Sequence, residues 1–382
     1  MTLTIENARV LLSDGSVMET SIRVEDGAIT GVGENGGGRR LDAAGALALP
    51  GAVDLHGDGF ERQLMPRPGV HFAHDIALID TDRQLLASGV TTVYHSLTWS
   101  WEPGLRGRDA ALRFRRELEQ VRPALVCETR LHLRFETANL DVLDELEEWI
   151  DEGAVDLLAF NDHLDLMSRK VDSYDKMSGY LNRTGLSREA FIELLEEMKS
   201  RRGVIPKVVE RLAARARSRS IPMASHDDPD AETRRWFHEL GCRLSEFPLN
   251  IETAEEARDR GDAILLGAPN ALRGKSHDKR LTAREAIVAG LCTVLTSDYF
   301  YPTLLHAPFV LAQELNMDFG RCWDLVSGGP ARAVGMDDRG AIAPGKRADI
   351  ILVDDTKTPT ITDVVVGGEH VFAVGRPACA AV

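Results

Sequence analysis

Hydrophobic and polar residues alternate in short runs at both ends of the 382-residue chain, a spacing that indicates β-strands. Near the N-terminus these runs surround tight turns, and Asp26-Gly27 has the composition of a two-residue hairpin turn. Near the C-terminus an apolar run follows Pro344-Gly345, and Gly367-Gly368 separates two more. The two ends therefore predict one small β-sandwich domain built from residues 1–50 and 339–382.

Between these ends, apolar runs of strand length alternate with segments of helical period. The eight predicted strands are Ala52–Asp58, Val90–Leu97, Thr129–Glu136, Val155–His163, Ile221–Asp228, Arg243–Pro248, Ala263–Pro269 and Thr293–Tyr299. Ser187, Thr253 and Thr282 are predicted helix N-caps, the last two as capping boxes. Eight strand–helix units predict an α/β fold, a (β/α)8 TIM-like barrel over residues 51–338. A doubly wound open sheet is the alternative, although it would not gather polar side chains from so many strand ends.

Residues 164–186 form a polar stretch without clear periodicity after the fourth predicted strand. A loop of this length inside a compact domain is usually functional or mobile. Two interpretations stay open: a lid over an active site, or a surface insertion.

The composition indicates a cytoplasmic enzyme. The net charge of −15 argues against general binding of nucleic acid, but it does not exclude an anionic small-molecule substrate. We expect no membrane span, because apolar runs are short, and no secretion signal at the N-terminus. The five cysteines are scattered, which is typical of reduced thiols. A homodimer is compatible with this architecture, but the sequence does not determine the oligomeric state.

Five of the predicted strands have, at or near their carboxyl ends, histidine, aspartate or glutamate, the residue types that can bind metal ions. His56 and Asp58 are two positions apart, so on a strand their side chains lie on one face. One such histidine is more often structural, but burying several carboxylates without a cation would be costly. We therefore predict one or two divalent ions, zinc by default with manganese or iron as alternatives. The predicted ligands are His56, Asp58, Glu136, His163, His226 and Asp298.

These residues resemble the amidohydrolase superfamily over essentially the whole chain, through Leu49–His56, the strand-end histidines, Ser297-Asp298 and the segment 340–349. Further stretches resemble a narrower family, the α-D-ribose 1-methylphosphonate 5-triphosphate diphosphatases of the carbon–phosphorus lyase pathway (PhnM family). These stretches are Pro66–Val70, Arg130–Arg134, Ala224–Asp228, Glu246–Pro248, Gly267–Asn270, Arg273–His277 and Ser297–Tyr299.

The chain also departs from these patterns. Most amidohydrolases have a histidine where Asp58 stands, and no lysine is available at a strand end for carbamylation, so Glu136 is the expected metal-bridging residue. The histidines fall on predicted strands four and five instead of the usual five and six. Gly59 and Lys275 differ from the diphosphatase pattern, which bears on the substrate more than on the chemistry.

The resemblance implies hydrolysis of α-D-ribose 1-methylphosphonate 5-triphosphate to the 5-phosphate and pyrophosphate, with Asp298 as general base and then acid. The residues expected to bind substrate phosphates are Arg62, Arg67, Arg134, Asn270, Arg273, Lys275 and His277. The alternative is hydrolysis of a C–N bond by a deacetylase, cyclic amidase or deaminase. Such an enzyme does not need several basic loops to bind its substrate. A non-catalytic binding protein would be expected to lack part of the ligand set.

Overall fold

Two hydrogen-bonded sheets organise the chain in a computed structural model, which describes residues 2–34, 36–170, 174–274 and 280–374. In chain order the strands are β1 (Thr2–Leu11), β2 (Val17–Glu25), β3 (Ala28–Val32), β4 (Arg39–Asp42), β5 (Leu47–Pro50), β6 (Ala52–Gly57), β7 (Val90–Trp99), β8 (Glu128–Glu136), β9 (Leu157–Asn161), β10 (Met223–His226), β11 (Leu244–Glu246), β12 (Ala263–Gly267), β13 (Val294–Thr296), β14 (Ile350–Asp354), β15 (Thr360–Val366) and β16 (Glu369–Ala373).

Helices connect the strands of the central region and cover its outside. They are α1 (Glu61–Leu64), α2 (His74–Ala87), α3 (Arg108–Val121), α4 (Leu143–Asp151), α5 (Leu164–Lys170), α6 (Tyr174–Thr184), α7 (Arg188–Ser200), α8 (Ile205–Ser218), α9 (Ala231–Glu239), α10 (Ile251–Asp259), α11 (Ala268–Arg273), α12 (Ala283–Val288), α13 (Thr303–Glu314), α14 (Phe319–Asp324) and α15 (Gly328–Ala333). No helix in the described ranges has the length and apolar content that a bilayer crossing requires.

The first sheet is built from both ends of the chain, as predicted. Its strands follow the order β16-β15-β14-β5-β1-β2-β3, and β4 pairs with β1. The N-terminal and C-terminal parts meet where β5 pairs antiparallel with β14, with Leu49 opposite Ile351. Gly51 connects β5 to the first barrel strand. A Cβ added at Gly51 would lie 2.3 Å from the Thr91 hydroxyl, so this close approach requires glycine.

The second sheet contains β6 to β13 in consecutive order, and all its pairs are parallel. A bridge between Gly57 and Asp298 joins the last strand to the first, with hydrogen bonds from Asp298 N to His56 O (2.8 Å) and from Asp58 N to Asp298 O (2.9 Å). The predicted barrel is therefore confirmed, and the open-sheet alternative is wrong. Apolar side chains such as Leu55 and Leu157 fill the barrel interior, so the free space lies at its mouth.

Several strands end earlier than predicted. β9 stops at Asn161 because the Asp162 carboxylate accepts the Leu164 amide (3.0 Å), which begins α5, so His163 follows the strand. Asp227, Phe247 and Asp298 have φ of 58°, 53° and 55°. These left-handed conformations end the extended backbone directly after β10 and β11 and close to β13.

The N-cap predictions have mixed outcomes. The Ser187 hydroxyl accepts the Ala190 amide at the start of α7, and Thr282 forms the predicted capping box of α12. The prediction for Thr253 is wrong. Asn250 caps α10 three residues earlier and accepts the Thr253 amide at 2.9 Å.

Within residues 164–186 the structure shows two helices, Leu164–Lys170 and Tyr174–Thr184, which corrects the prediction of an aperiodic stretch. We call α5 and α6 the helical insertion. Their buried residues Leu164, Met167, Met177 and Tyr180 belong to one apolar cluster with residues of α7 such as Phe191. The helical period is short and interrupted between the two helices, and their stability comes from packing against α7, which a reading of local pattern does not include.

Candidate metal centre and substrate cavity

A cavity of about 370 Å³ opens at the carboxyl ends of the barrel strands. Parallel strands deliver their last side chains to this end, which is where barrel enzymes place their active sites. Eight of the residues predicted from the sequence line it together: His56, Asp58, Arg134, Glu136, His163, His226, Asn270 and Asp298.

Three imidazoles surround the buried carboxylate of Glu246, which sequence reasoning did not assign to the site. The nitrogens His226 Nδ1, His56 Nδ1 and His132 Nε2 lie 3.1, 3.2 and 3.6 Å from its oxygens. His132 is held from its other side, where Nδ1 lies 2.9 Å from Leu55 O and 3.0 Å from Ser96 Oγ. In the sequence, Glu246 could have been recognised as a candidate from its position near the carboxyl end of the sixth predicted strand.

This arrangement leaves polar atoms unsatisfied. Within the described residues, His56 Nδ1, His132 Nε2 and Glu246 Oε1 are buried and have no partner in hydrogen-bonding geometry. Such groups are costly in a protein interior. Donor atoms of His56, His226 and Glu246 lie within 4.8 Å of one another, and those of His163, His226 and Asp227 form a second such group. The donor chemistry therefore fits a divalent metal ion bound by nitrogen and oxygen ligands.

Glu136 is not a member of either compact group, but it contacts His163 of the second group. Its carboxylate is hydrogen-bonded to His163 Nδ1, and this pairing keeps its pKa below the usual value although burial alone would raise it. Among the described residues, the carboxylate between the imidazoles is therefore Glu246. The bridging role that the resemblance suggested for Glu136 stays a prediction.

The buried environment of these imidazoles favours their neutral form. Burial lowers the pKa values of His56 and His226 well below normal, and the nearby Arg134 lowers them further. Burial lowers the pKa of His132 to about 3. All three rings are therefore neutral at pH 7, which is the form that binds metal ions.

Asp298 lies at the seam where β13 meets β6. Burial, with the neighbouring Asp58, raises its pKa to about 7, so the carboxyl group can take up and release a proton near neutrality. Ser297 holds the seam in place, donating from its amide (3.0 Å) and its hydroxyl (2.5 Å) to the buried Asp54 carboxylate. Burial also raises the pKa of Asp54, to about 6.

Basic side chains form another part of the cavity wall. Arg134 reaches Asp58 Oδ2 and His226 Nε2, both at 3.4 Å, and its side chain is only 7% exposed. Arg106 donates two hydrogen bonds to Glu61 (2.9 and 2.8 Å). The further basic residues that line the cavity are Lys170, Arg183 and Arg280. Apart from Arg134 these were not predicted, because no local pattern marks them.

Three of the other predicted phosphate-binding residues, Arg62, Arg67 and Arg273, do not line the cavity. Arg62 is exposed, donates to Tyr299 O and lies over the Phe300 ring in a neighbouring cleft. Arg67 is exposed in a turn with Val70, and Arg273 is exposed at the end of α11. Lys275 and His277 lie outside the described residues.

Comparison with known proteins gives relatives over the whole chain. The α-D-ribose 1-methylphosphonate 5-triphosphate diphosphatase of Escherichia coli (strain K12) is 32% identical over 363 residues, which cover 91% of this chain and 94% of that protein. The adenine deaminase of Methylobacterium nodulans is 26% identical over 97% of this chain, which spans only 58% of the deaminase.

Family models and solved structures agree with this relationship. The amidohydrolase family model matches residues 202–371. The dihydropyrimidinase of Brevibacillus agri superposes with a TM-score of 0.63 at 14% identity, covering 98% of this chain and 95% of that one. The N-acetylglucosamine-6-phosphate deacetylase of Pasteurella multocida gives 0.65 at 12% identity, covering 98% and 100%. The chain therefore belongs to the amidohydrolase superfamily, in the family that includes the diphosphatase of Escherichia coli.

Proposed function

We propose that this protein is a metal-dependent diphosphatase that hydrolyses α-D-ribose 1-methylphosphonate 5-triphosphate to α-D-ribose 1-methylphosphonate 5-phosphate and pyrophosphate. The observation that carries the proposal is the cavity wall, in which four arginines and a lysine stand beside the metal-donor groups. The relative of the same activity, similar over nearly its whole length, supports the same substrate.

In the proposed reaction one water is consumed and one phosphoric anhydride bond is broken. The water oxygen forms a bond to phosphorus while the P–O bond between the first and second phosphoryl groups breaks, and the electron pair leaves with the departing oxygen. The Asp298 carboxylate accepts the proton of the water and later releases it to product or solvent. A divalent ion bound by His56, His226 and Glu246, with His163 and Asp227 as further donors, would polarise a phosphoryl oxygen and make hydroxide available near neutral pH.

The arginines provide charge for this reaction. Negative charge is spread over the phosphoryl oxygens in the transition state, and fixed cations in a partly dry cavity stabilise it. Arg134 is nearest to the donor groups, since it contacts both Asp58 and His226. Its planar guanidinium can donate two hydrogen bonds to one phosphoryl group.

Hydrolysis of a C–N bond is the second candidate, favoured by the adenine deaminase relatives and by a donor set that suits either reaction. A neutral base or amide has no need for five basic side chains around the reacting atoms, which is why we prefer the phosphate substrate.

A direct assay separates the two functions. The metal-loaded enzyme is incubated with α-D-ribose 1-methylphosphonate 5-triphosphate, with adenine and with a panel of N-acyl compounds, and pyrophosphate, ammonia and free amine are measured. We expect pyrophosphate release from the triphosphate alone. Turnover of only adenine or an N-acyl compound would overturn the proposal.

A further inference from the structure

The helical insertion supplies one wall of the cavity. Lys170 of α5 and Tyr180 and Arg183 of α6 line the cavity together. Two cationic groups lie over the Tyr180 ring: Arg183 Cζ is 4.5 Å and Lys170 Nζ is 5.5 Å from the ring centroid. Lys170 Nζ also lies 3.4 Å from the Tyr180 hydroxyl. These three side chains, here called the insertion array, offer ammonium, phenol and guanidinium donors at one place.

Lys170 differs from the other basic residues of the cavity in its charge balance. Each arginine has a carboxylate partner, the pairs being Arg134–Asp58, Arg106–Glu61, Arg183–Glu102 and Arg280–Asp227. Within the described ranges, the polar contact of the Lys170 ammonium is the phenol of Tyr180. Its positive charge is therefore available to an anionic ligand, whereas the charges nearer the donor groups are largely compensated.

Two members of the array, Arg183 and Tyr180, are anchored to neighbouring elements, and Lys170 contacts the anchored Tyr180. Arg183 donates two hydrogen bonds of 2.9 Å to Glu102, whose side chain is 1% exposed. The Tyr180 ring packs against Phe191 of α7, with centroids 5.7 Å apart. Such anchoring distinguishes the array from a solvated surface charge, because little side-chain order must be gained when an anion binds.

We propose that the insertion array is the subsite for the departing pyrophosphate, with Lys170 and the Tyr180 hydroxyl donating to its oxygens. This inference rests on the proposed function and adds the residues that hold the leaving group. The pyrophosphate end of the substrate carries more negative charge than the methylphosphonate end, so it gains more from an uncompensated ammonium.

The test is product inhibition of the metal-loaded enzyme, with free metal kept constant. In Lys170→Met we expect the inhibition constant of pyrophosphate and the KM of the triphosphate to rise about tenfold, the effect of losing one charge-assisted hydrogen bond. Inhibition by the 5-phosphate product should stay unchanged. Lys170→Arg should restore most of the pyrophosphate affinity, and Tyr180→Phe should weaken it less than Lys170→Met does.

Arg169→Met is the matched control, because Arg169 is exposed on the same helix and donates to Asp165 O. It removes one positive charge and should leave both inhibition constants unchanged. Equal effects of Arg169→Met and Lys170→Met would mean that only general charge matters, and the subsite would be wrong. Weakened inhibition by the 5-phosphate product instead of pyrophosphate would assign the array to the other end of the substrate.

The two proposals fail in different ways. If wild type releases pyrophosphate and Lys170→Met behaves like wild type, the subsite is wrong and the function stands. If wild type does not hydrolyse the triphosphate, the proposed function is wrong. Equilibrium dialysis of labelled pyrophosphate against wild type and Lys170→Met then decides the subsite by itself, since equal binding would overturn it.

Discussion

At the scale of single residues, two buried carboxylates are candidates for the metal centre. Glu136 and Glu246 both end barrel strands, and both are buried. Only Glu246 lies among the imidazoles of His56, His132 and His226, while Glu136 is paired with His163. The strand-end pattern identifies both residues as candidates, but it cannot rank them.

Replacing the two carboxylates separately tests this ranking. Glu246→Gln should lower the affinity for the metal at least tenfold, because a charged group among the donors is lost, whereas Glu136→Gln should act mainly through the orientation of His163. Metal content after dialysis is measured by elemental analysis, with circular dichroism to verify folding. Loss of metal from Glu136→Gln but not from Glu246→Gln would reverse the assignment.

Asp298 is the residue whose loss should affect chemistry most. Asp298→Asn cannot accept a proton, so we expect kcat to fall by about 10²- to 10⁴-fold. The pKa of Asp298 is raised to about 7 without a cation, and a bound cation would lower it, so wild-type kcat should rise with pH along an acidic limb centred below pH 7 and then level off. The pH profile of kcat with the metal bound measures this. An Asp298→Asn enzyme with an unchanged acidic limb would show that another group is the base.

At the scale of secondary structure, close packing between elements positions the helical insertion. Gly104 precedes α3 with φ of 84°, and an added Cβ would lie 2.2 Å from the carbonyl oxygen of Arg183 in α6. Glycine therefore allows the insertion to approach the loop after β7, and Arg183 joins Glu102 in the same loop.

Gly104→Ala should push α6 away from this loop. We expect a lower free energy of unfolding and a several-fold higher KM, because Arg183 and Tyr180 are displaced from the cavity. Gly185→Ala is the control, since Gly185 also has a positive φ (72°) but nothing within 4 Å of an added Cβ. It should cost only about 1 kcal/mol of backbone strain and leave KM unchanged. The measurements are urea unfolding and steady-state kinetics, and equal KM changes in both variants would contradict this account.

For the whole molecule, a partly buried ionic network joins the small sheet to the base of the barrel. Glu128, at the start of β8, accepts hydrogen bonds from Arg339 (2.7 Å) and from Arg347, and Arg347 also pairs with Asp349 (3.2 Å) just before β14. Burial alone would raise the pKa of Glu128, but hydrogen bonds from Arg339 and Arg130 outweigh it and lower the pKa to about 2.

Glu128→Gln should therefore destabilise the protein at neutral pH by about 1–3 kcal/mol, because Arg339 and Arg347 lose a charged partner although Arg339 keeps Asp338. The wild-type carboxylate stabilises the fold fully above its unfolded pKa of about 4.5, and this contribution is lost as the pH falls toward 2. The stability difference between the two proteins should accordingly shrink below pH 4.5. Thermal unfolding at pH 7 and pH 4 measures it.

Glu119→Gln is the control for that experiment, since Glu119 is 59% exposed and pairs with the partly exposed Arg122. Exposed pairs contribute about 0–1 kcal/mol. Similar losses in the two variants would mean that the network under the barrel contributes no more than a surface ion pair.

The eight barrel strands, the sheet shared by the two termini, and the position of His56, Asp58, His226 and Asp298 at the mouth could all be predicted from the sequence. It could do so because strand and helix periods are local properties, and parallel strands bring their carboxyl ends to one side. Three features depend on the three-dimensional fold: Glu246 lies between the imidazoles, α5 and α6 pack against α7, and Arg106 and Arg183 reach the cavity. These features depend on which residues meet across the closed barrel, and distance along the chain carries no information about that.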